Sequence, residues 1–186
     1  MPIRMLLLAA PGAGKGTQGK RLAEREGIAH LAAGDLLREQ VREHTELGRR
    51  ASEFVDRGEL VPDELVVDLL MPAIEAAAAR GGYVLDGFPR NLAQARAADA
   101  RGLELDHVIH LRAPDEELRR RLLARAGQEG RSDDTPEVIE HRLRLYAEET
   151  RPLIEEYRGR GILVDVDADR PVEAITEDIV AALSAR

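Results

Sequence analysis

One stretch near the N-terminus, MLLLAAPGAGKGTQ (residues 5–18), constrains the fold of this chain more than any other. A continuous apolar run stops at a proline and two glycines and then gives way to helix-compatible sequence. This order is typical of a buried parallel strand that leads through a phosphate-binding loop into a helix. Glycines allow several backbone N–H groups to point at one anion, and the helix N-terminus favours negative charge. The stretch therefore predicts an α/β protein with a phosphate site after its first strand.

The loop departs from the general pattern G-x-x-x-x-G-K-[ST] at two positions. Ala9 stands at the first glycine, so the turn must form without a positive φ there, and Gly16 follows Lys15, which puts the hydroxyl one step later on Thr17. That hydroxyl usually binds Mg²⁺, so we expect the metal to be held mainly through waters and carboxylates. A turn that binds nothing is the alternative, but it leaves a lysine on a glycine-rich turn unexplained.

Composition excludes several classes of protein. The length of 186 residues suits one domain, and the formal net charge of −8 argues against a general affinity for nucleic acid or anionic membranes. Only 3% of residues are aromatic and none is cysteine, so a thiolate metal site is impossible. We find no signal-peptide pattern and no apolar stretch of membrane-spanning length, and therefore expect a cytoplasmic protein. The histidines have no metal-ligand spacing and are interpreted as structural or exposed: His30, His44, His107, His110 and His141.

Short apolar segments alternate with helical patterns along the rest of the chain. After the first strand, the predicted strands are 28–31, 83–85, 107–111 and 162–166. Helices are predicted to span or begin at residues 14–26, 32, 47–57, 60–80, 91–101, 114–125, 136 and 171. We expect a kink or break at Pro72, a polar loop at 126–135 and a bend near Pro152. The alternation predicts a three-layer α/β sandwich, a five-stranded parallel sheet with helices on both faces.

An acidic residue, Asp86, follows the predicted strand 83–85, at the sheet edge where ligands of such folds gather. A carboxylate there is costly unless it is paired or near a metal, so we expect it to orient Mg²⁺-bound waters beside the phosphate loop. A solvated carboxylate at a strand end is the alternative. Gly87, Phe88 and Pro89 predict a tight bend, after which Arg90 points back over the strand ends.

Six arginines are candidates for binding a phosphoryl group that is being transferred: Arg38, Arg90, Arg121, Arg125, Arg131 and Arg142. Two of them, Arg121 and Arg125, are four residues apart and share a helical face. Their charges suit the several oxygens of such a group, although surface arginines paired with the abundant acids are the alternative. The polar segment 127–134 is predicted to be a short lid that excludes water, or else an ordinary exposed loop.

Four motifs occur in order: PGAGKGT (11–17), AGDLLR (33–38), DGFPRNLAQ (86–94) and GRSDD (130–134). Together they resemble the adenylate kinases, in the short-lid form without a zinc site. The resemblance extends from residue 3 to the last helix. It implies reversible phosphoryl transfer from ATP to AMP, giving two ADP, with Mg²⁺ as cofactor and a role in adenine nucleotide homeostasis. It also implies one kinase domain (1–186), a monomer, in which 32–61 form a mobile AMP-binding insert and 126–136 the short lid.

The resemblance also implies roles for individual residues. The ATP phosphates would be held by Gly12, Ala13, Gly14, Lys15, Gly16 and Thr17, and Lys15 would bridge the donor and acceptor groups. Further ATP contacts would come from Arg121, Arg125 and the backbone of Arg170. The AMP site would comprise Ala33, Arg38, Glu59, Leu60, Val61, Gly87, Phe88, Pro89, Arg90, Gln94, Arg131 and Arg142. Catalysis would depend on Lys15, Asp86, Arg90, Arg125, Arg131 and Arg142.

Two alternatives remain open at this point. Adenylate kinases usually carry threonine at the position of Ala33, whereas pyrimidine monophosphate (UMP/CMP) kinases often carry alanine there. Those kinases tend to have asparagine where this chain has Gln94, which favours AMP. The altered loop, with Ala9 and Gly16, also leaves open a nucleotide-gated interaction module that binds ATP without an acceptor. Such a module would have no use for Arg38, Arg90 and Gln94.

Overall fold

The computed structural model of the chain describes residues 2–55, 61–129 and 135–184, with side chains except at 55 and 125–129. Its sheet has five strands: β1 (Ile3–Ala9), β2 (Ala29–Ala32), β3 (Gly82–Asp86), β4 (His107–Arg112) and β5 (Leu163–Asp167). They are all parallel and lie in the order β2-β3-β1-β4-β5. The predicted five-stranded parallel sheet is confirmed, and each strand lies within two residues of its predicted position.

Helices cover both faces of this sheet. They are α1 (Lys15–Glu26), α2 (Ala33–Arg42), α3 (Glu46–Val55), α4 (Asp63–Ala78), α5 (Leu92–Ala100), α6 (Asp115–Glu129), α7 (Pro136–Leu145), α8 (Pro152–Gly159) and α9 (Val172–Ser184). Alternate side chains of β1 point to opposite faces. Leu6 and Leu8 belong to a core with α4, α5 and α8, and Met5 and Leu7 to a second core with α1, α6 and α9. The three-layer sandwich is therefore as predicted.

The strand order brings particular loops together. β1 lies between β3 and β4, so the loop after β1 is flanked by the carboxyl ends of both neighbours. Residue 7 of β1 is in register with Asp86, the last residue of β3, and Ala9 with Leu111 of β4. The chain moves to one side of β1 to form β2 and β3 and to the other side to form β4 and β5. A strand-order reversal of this kind creates a crevice for ligands at the carboxyl edge.

Of the kink or break predicted at Pro72, the break does not occur. α4 runs without interruption from Asp63 to Ala78, and it begins three residues later than expected. Pro72 lies on the exposed face of the helix. The carbonyl of Asp68, which loses its helical partner because proline has no N–H, is therefore on the solvent side, where water can satisfy it.

The predicted polar loop at 126–135 begins too early. The backbone of α6 remains helical through Glu129, four residues beyond the predicted end, and α7 begins at Pro136. Alanine, glutamine and glutamate are strong helix formers, and the single Gly127 costs about 1 kcal/mol, which the rest of the turn tolerates. Residues 130–134 lie outside the described part, so the assignment of a lid at 126–136 stays a prediction.

Near Pro152, where a bend was predicted, the helix changes type: a π-helical segment, Tyr146–Thr150, lies between α7 and α8. The Arg151 N–H donates to the carbonyl of Tyr146, five residues back, at 2.9 Å. Pro152 has no N–H to continue the α-helical pattern, which is consistent with a change of helix type just before it. Within the described residues no helix is long and apolar enough to cross a membrane.

Candidate functional site

The loop between β1 and α1 has the conformation of a backbone anion cradle. Gly12 and Gly14 have φ angles of +88° and +90°, which glycine adopts without strain, and Gly14 precedes the first residue of α1. A Cβ on Gly12 would lie 2.9 Å from the Leu118 carbonyl oxygen, so α6 packs directly on the loop. Lys15 begins α1, and its Nζ donates to the Ala9 carbonyl oxygen at 2.9 Å. Buried Ala13 and exposed Gly16 and Thr17 complete the predicted segment.

The alanine in place of the first glycine is accommodated at the end of β1. Ala9 is the last residue of β1, paired in extended conformation with Leu111, so its position requires no positive φ. The contact that Ala9 makes in the loop comes from its carbonyl oxygen, which accepts a hydrogen bond from the Lys15 amine, and not from its side chain. The substitution therefore leaves the cradle intact.

Asp86 lies directly beside the loop. A Cβ placed on Gly16 would be 3.8 Å from Asp86 Oδ2, and the same oxygen is 3.8 Å from Nε2 of His30 on β2. The Asp86 and His30 side chains are each 14% exposed. His30 Nε2 is buried and forms no hydrogen bond with the described residues. Sequence analysis assigned His30 no place in the site, because its approach to Asp86 depends on the pairing of β2 with β3.

Arg90 follows the bend after β3 and folds back on Gly87. Its Nε donates to the Gly87 carbonyl oxygen at 3.1 Å, which turns the guanidinium back over the strand ends as predicted. The side chain still reaches solvent, yet the cleft around it lowers the pKa of Arg90, mainly by desolvation. Arg142 and Arg38 lower the pKa of Arg90 further through like charge, and Asp86 opposes them. Arg38, Arg142 and Asp86 therefore lie close enough to Arg90 for their charges to act on it.

Residues predicted to bind the acceptor lie close together after β2 and after β3. A Cβ on Gly87 would lie 3.8 Å from the Ala33 Cβ and 3.9 Å from Arg90 Nη2, so a side chain there would enter the space between them. Phe88 and Pro89 are buried, and they carry the bend that returns Arg90 to the cleft. Arg38, in the middle of α2, is exposed, and its guanidinium is bonded to Asp35.

A hydrogen-bond network surrounds Gln94, which is 5% exposed. The Arg90 N–H donates to Gln94 Oε1 at 2.8 Å, and Gln94 Nε2 donates to Asp63 Oδ1 at 2.7 Å. Asn91 caps α5 by accepting from the Gln94 N–H at 2.8 Å, and its own amide donates to Asp63 at 3.3 Å. Asp63 and Asn91 were not predicted as site residues, since nothing local in the sequence connects position 63 with position 94.

The opposite side of the cleft is formed by α6 and the loop after β5. Arg121 donates to Glu117 at 2.6 Å and lies 3.7 Å from Asp169. Hydrogen bonds from Arg120 and Arg121 lower the pKa of Glu117 to about 2. Arg170 lies in the loop between β5 and α9, with its guanidinium bonded to Asp178, so its side chain is directed toward α9.

Several predicted site residues lie outside the described part of the structure. These are Glu59, Leu60, Arg131 and the side chain of Arg125. Val61 is described and is half-buried just before α4. Within the described ranges, no group of three or more histidine, aspartate or glutamate side chains is placed to hold a metal ion.

His110 has a structural environment, in agreement with its interpretation from the sequence. Its Nδ1 lies 2.7 Å from Asp165 Oδ1 on β5, and its Nε2 lies 3.3 Å from the Tyr146 hydroxyl. Burial lowers the pKa of His110, although Asp165 opposes this shift. The imidazole also borders a groove of about 420 Å³ between α6 and α7, on the Arg119 side of α6, away from Arg121.

The cradle after β1, the carboxylate at the end of β3 and the facing arginines occupy one edge of a parallel sheet. They define a P-loop α/β protein whose site is suited to nucleotide phosphates. A family model described as "Adenylate kinase" matches residues 7–162. The chain belongs to the adenylate kinase family.

Individual relatives agree with this assignment. The adenylate kinase of Synechococcus sp. (strain RCC307) is 48% identical over 188 residues, which cover 99% of this chain and 100% of that protein. The adenylate kinase of Thermobifida fusca is 44% identical over 188 residues, with the same coverage. The adenylate kinase of Lachnospira eligens is 40% identical over 212 residues, covering 97% of this chain and 100% of that protein. That alignment is longer than this chain of 186 residues, so the relative carries inserted segments.

Proposed function

We propose that this protein is an adenylate kinase, which transfers a phosphoryl group reversibly from ATP to AMP and produces two ADP. The observation that carries the proposal is the juxtaposition of two anion-binding groups at one sheet edge. One is the backbone cradle with Lys15, and the other is the cluster of Arg38, Arg90 and Arg142. Family membership favours this activity over the pyrimidine kinase and the interaction module.

On the donor side, the ATP phosphates bind the loop from Gly12 to Thr17 in our proposal. The N–H groups at the start of α1 and the Lys15 amine bind the phosphate oxygens. The Lys15 amine donates to the Ala9 carbonyl oxygen, and it would exchange this partner for a phosphate oxygen. Arg121, Arg125 and the backbone of Arg170 border the rest of the nucleotide.

On the acceptor side, Arg38 and Arg90 bind the AMP phosphate and Gln94 contacts the adenine. The remaining surface of the AMP site is lined by Ala33, by residues 59–61 and by the bend of Gly87, Phe88 and Pro89. Support comes from the small space between Ala33 and Arg90, which a side chain at residue 87 would fill. Arg38 must release Asp35 to bind phosphate, and this exchange is favoured because a phosphate carries more charge than a carboxylate.

Transfer in this site requires positioning and charge neutralisation, and no general base. The acceptor phosphate is already anionic at neutral pH, so its oxygen needs no deprotonation before attack. Like charge and desolvation disfavour the charged form of Arg90, and a bound anion would offset both effects. Arg131 and Arg142 complete the set of cations around the group being transferred.

The residues present fit Mg²⁺ held chiefly by nucleotide phosphates and water. Asp86 offers a hard carboxylate oxygen next to Gly16, at the start of α1, and this is the ligand type that Mg²⁺ prefers. Asp86 would orient metal-bound waters, and Mg²⁺ would offset phosphate charge when bound. The same proposal includes the insert at 32–61, the lid at 126–136, a monomeric state and a cytoplasmic location.

The test is a coupled assay of ADP formation with ATP and AMP, CMP, UMP or GMP as acceptor. We expect AMP to be preferred and Arg90→Ala to lower kcat/KM by about a hundredfold or more, because a contact to the transferring charge is lost. Arg96→Ala, which changes an exposed arginine of α5, serves as the matched control. Near-normal turnover in Arg90→Ala, or a pyrimidine preference in the unmodified protein, would overturn the proposal.

A further inference from the structure

The side-chain amide of Gln94 is hydrogen-bonded to two partners, one that can only donate and one that can only accept. Its Oε1 accepts from the backbone N–H of Arg90 at 2.8 Å, and its Nε2 donates to Asp63 Oδ1 at 2.7 Å. A backbone N–H can only donate, and a carboxylate can only accept. A flipped amide would direct its NH₂ at an N–H and its oxygen at a carboxylate. The network therefore fixes which end of Gln94 is the donor.

Asp63 is itself held in place by the neighbouring helix. The Asn91 side-chain amide donates to both carboxylate oxygens, at 3.3 and 3.5 Å, while the Asn91 Oδ1 caps α5. Asp63 is the first residue of α4, so α4 and α5 meet through this carboxylate. Gln94 is buried, and an unsatisfied or mismatched amide there would cost about 1–3 kcal/mol.

The fixed amide keeps part of its hydrogen-bonding capacity. One lone pair on Oε1 and one hydrogen on Nε2 remain after the two internal bonds. Adenine and cytosine present an exocyclic amino group beside a ring-nitrogen acceptor, which matches this pair. Guanine and uracil present a carbonyl beside a ring N–H, which is the reverse pattern. The Gln94 amide can therefore form two hydrogen bonds with adenine or cytosine. With guanine or uracil, its donor would face a donor and its acceptor would face an acceptor.

We propose that Asp63 is a specificity-determining residue that fixes the Gln94 amide in the orientation that selects amino-bearing acceptor nucleotides. This inference rests on the proposed function, and it assigns a role to a residue outside the predicted site. It predicts that UMP and GMP are rejected in favour of amino-bearing acceptors without any change in the arginines that bind phosphate. Asp63 positions Gln94 and makes no contact with the reacting atoms.

The experiment compares kcat/KM for AMP, CMP, UMP and GMP at saturating ATP in three proteins: the unmodified chain, Asp63→Asn and Asp68→Asn. Asparagine preserves the shape but can offer its own NH₂ to Gln94. We expect the AMP/UMP and AMP/GMP ratios of kcat/KM to fall by about tenfold to a hundredfold in Asp63→Asn, with a rise in the KM for AMP. Asp68→Asn, an exposed change on the same helix that affects the contact with Arg101, should keep the original ratios.

Unchanged ratios in a folded Asp63→Asn, or an equal fall in Asp68→Asn, would overturn the inference. Melting temperatures establish folding, and Asp63→Ser is the second variant if Asp63→Asn does not fold, because it removes the carboxylate with a smaller side chain. If the unmodified protein forms no ADP from AMP, the proposed function fails. If the unmodified protein is selective and both Asp63 variants are equally selective, only the role of Asp63 fails.

Discussion

Replacing Gly19 by alanine tests the contact between α1 and His30 on β2, next to Asp86. A Cβ on Gly19 would lie 2.4 Å from His30 Nε2 and 2.7 Å from His30 Cδ2, closer than two nonbonded atoms can approach. Gly19 is buried in α1, and the His30 side chain is only 14% exposed. The imidazole must therefore move, and it can do so only by disturbing its surroundings next to Asp86.

Two opposing effects set the magnitude. Alanine in place of glycine within a helix stabilises by about 1 kcal/mol, while overpacking of a buried contact costs about 1–3 kcal/mol. The net expectation for Gly19→Ala is a loss of up to about 2 kcal/mol in the free energy of unfolding. In a His30→Ala background the obstructing ring is absent, so the same substitution should stabilise by about 1 kcal/mol.

Urea denaturation of the four proteins in this cycle measures the coupling directly, with an expected value of about 1–3 kcal/mol. Turnover is a second readout. His30 Nε2 lies 3.8 Å from Asp86 Oδ2, so displacement of the ring in Gly19→Ala should also lower kcat. An identical effect of Gly19→Ala in both backgrounds, within about 0.3 kcal/mol, would show that the contact with His30 carries no energy.

Three further predictions follow from the same structure. Lys15→Met should lower kcat by about a hundredfold or more without a change in melting temperature. Lys20→Met, on the exposed side of α1, should leave kcat unchanged. Equal losses of kcat in the two variants would refute the role of Lys15. Hydrogen bonds from Arg4 lower the pKa of Asp106, so this carboxylate stabilises the fold above its unfolded pKa near 3.8, and the contribution disappears as pH falls through the lower folded value. Asp106→Asn should therefore cost about 1–2 kcal/mol at pH 7 in urea denaturation, and progressively less as the pH falls below about 3.8. Burial lowers the pKa of His110, so the folded protein should lose stability as pH falls from about 6.5 toward that lower value; a His110→Phe variant with the same pH dependence would refute this.

Features carried by contiguous segments could be predicted from the sequence. The loop after β1 was predicted because a buried strand, two glycines and a lysine occur within one short stretch. The proximity of Asp86 and Arg90 to that loop follows from a general rule, since parallel strands end at the same sheet edge. Ala9 was likewise predicted to need no positive φ, and its pairing with Leu111 confirms it.

Features that depend on tertiary contacts could not be predicted. Asp63 and Gln94 are separated by 31 positions and meet only because α4 packs beside α5. The approach of His30 to Asp86 requires the pairing of β2 with β3. The predicted end of α6 and the predicted break at Pro72 were wrong for a different reason. Local propensity near Gly127 and Pro72 indicated interruptions, but the rest of each helix overrides it.

The central position of β1 has a consequence for engineering. The chain completes β2, β3 and the Gln94 network before residue 102 and forms β4, α6 and β5 only afterwards. In our proposal, the residues that select the acceptor base therefore all precede residue 102, while the later part of the chain contributes Arg121 and Arg142. If the chain were divided at the turn around Gly102, the first fragment would keep the phosphate loop and the proposed acceptor residues but lose Arg121 and Arg142, so neither fragment would hold the complete proposed site. Phosphoryl transfer would then report the annealing of β1 to β4, as in a complementation sensor.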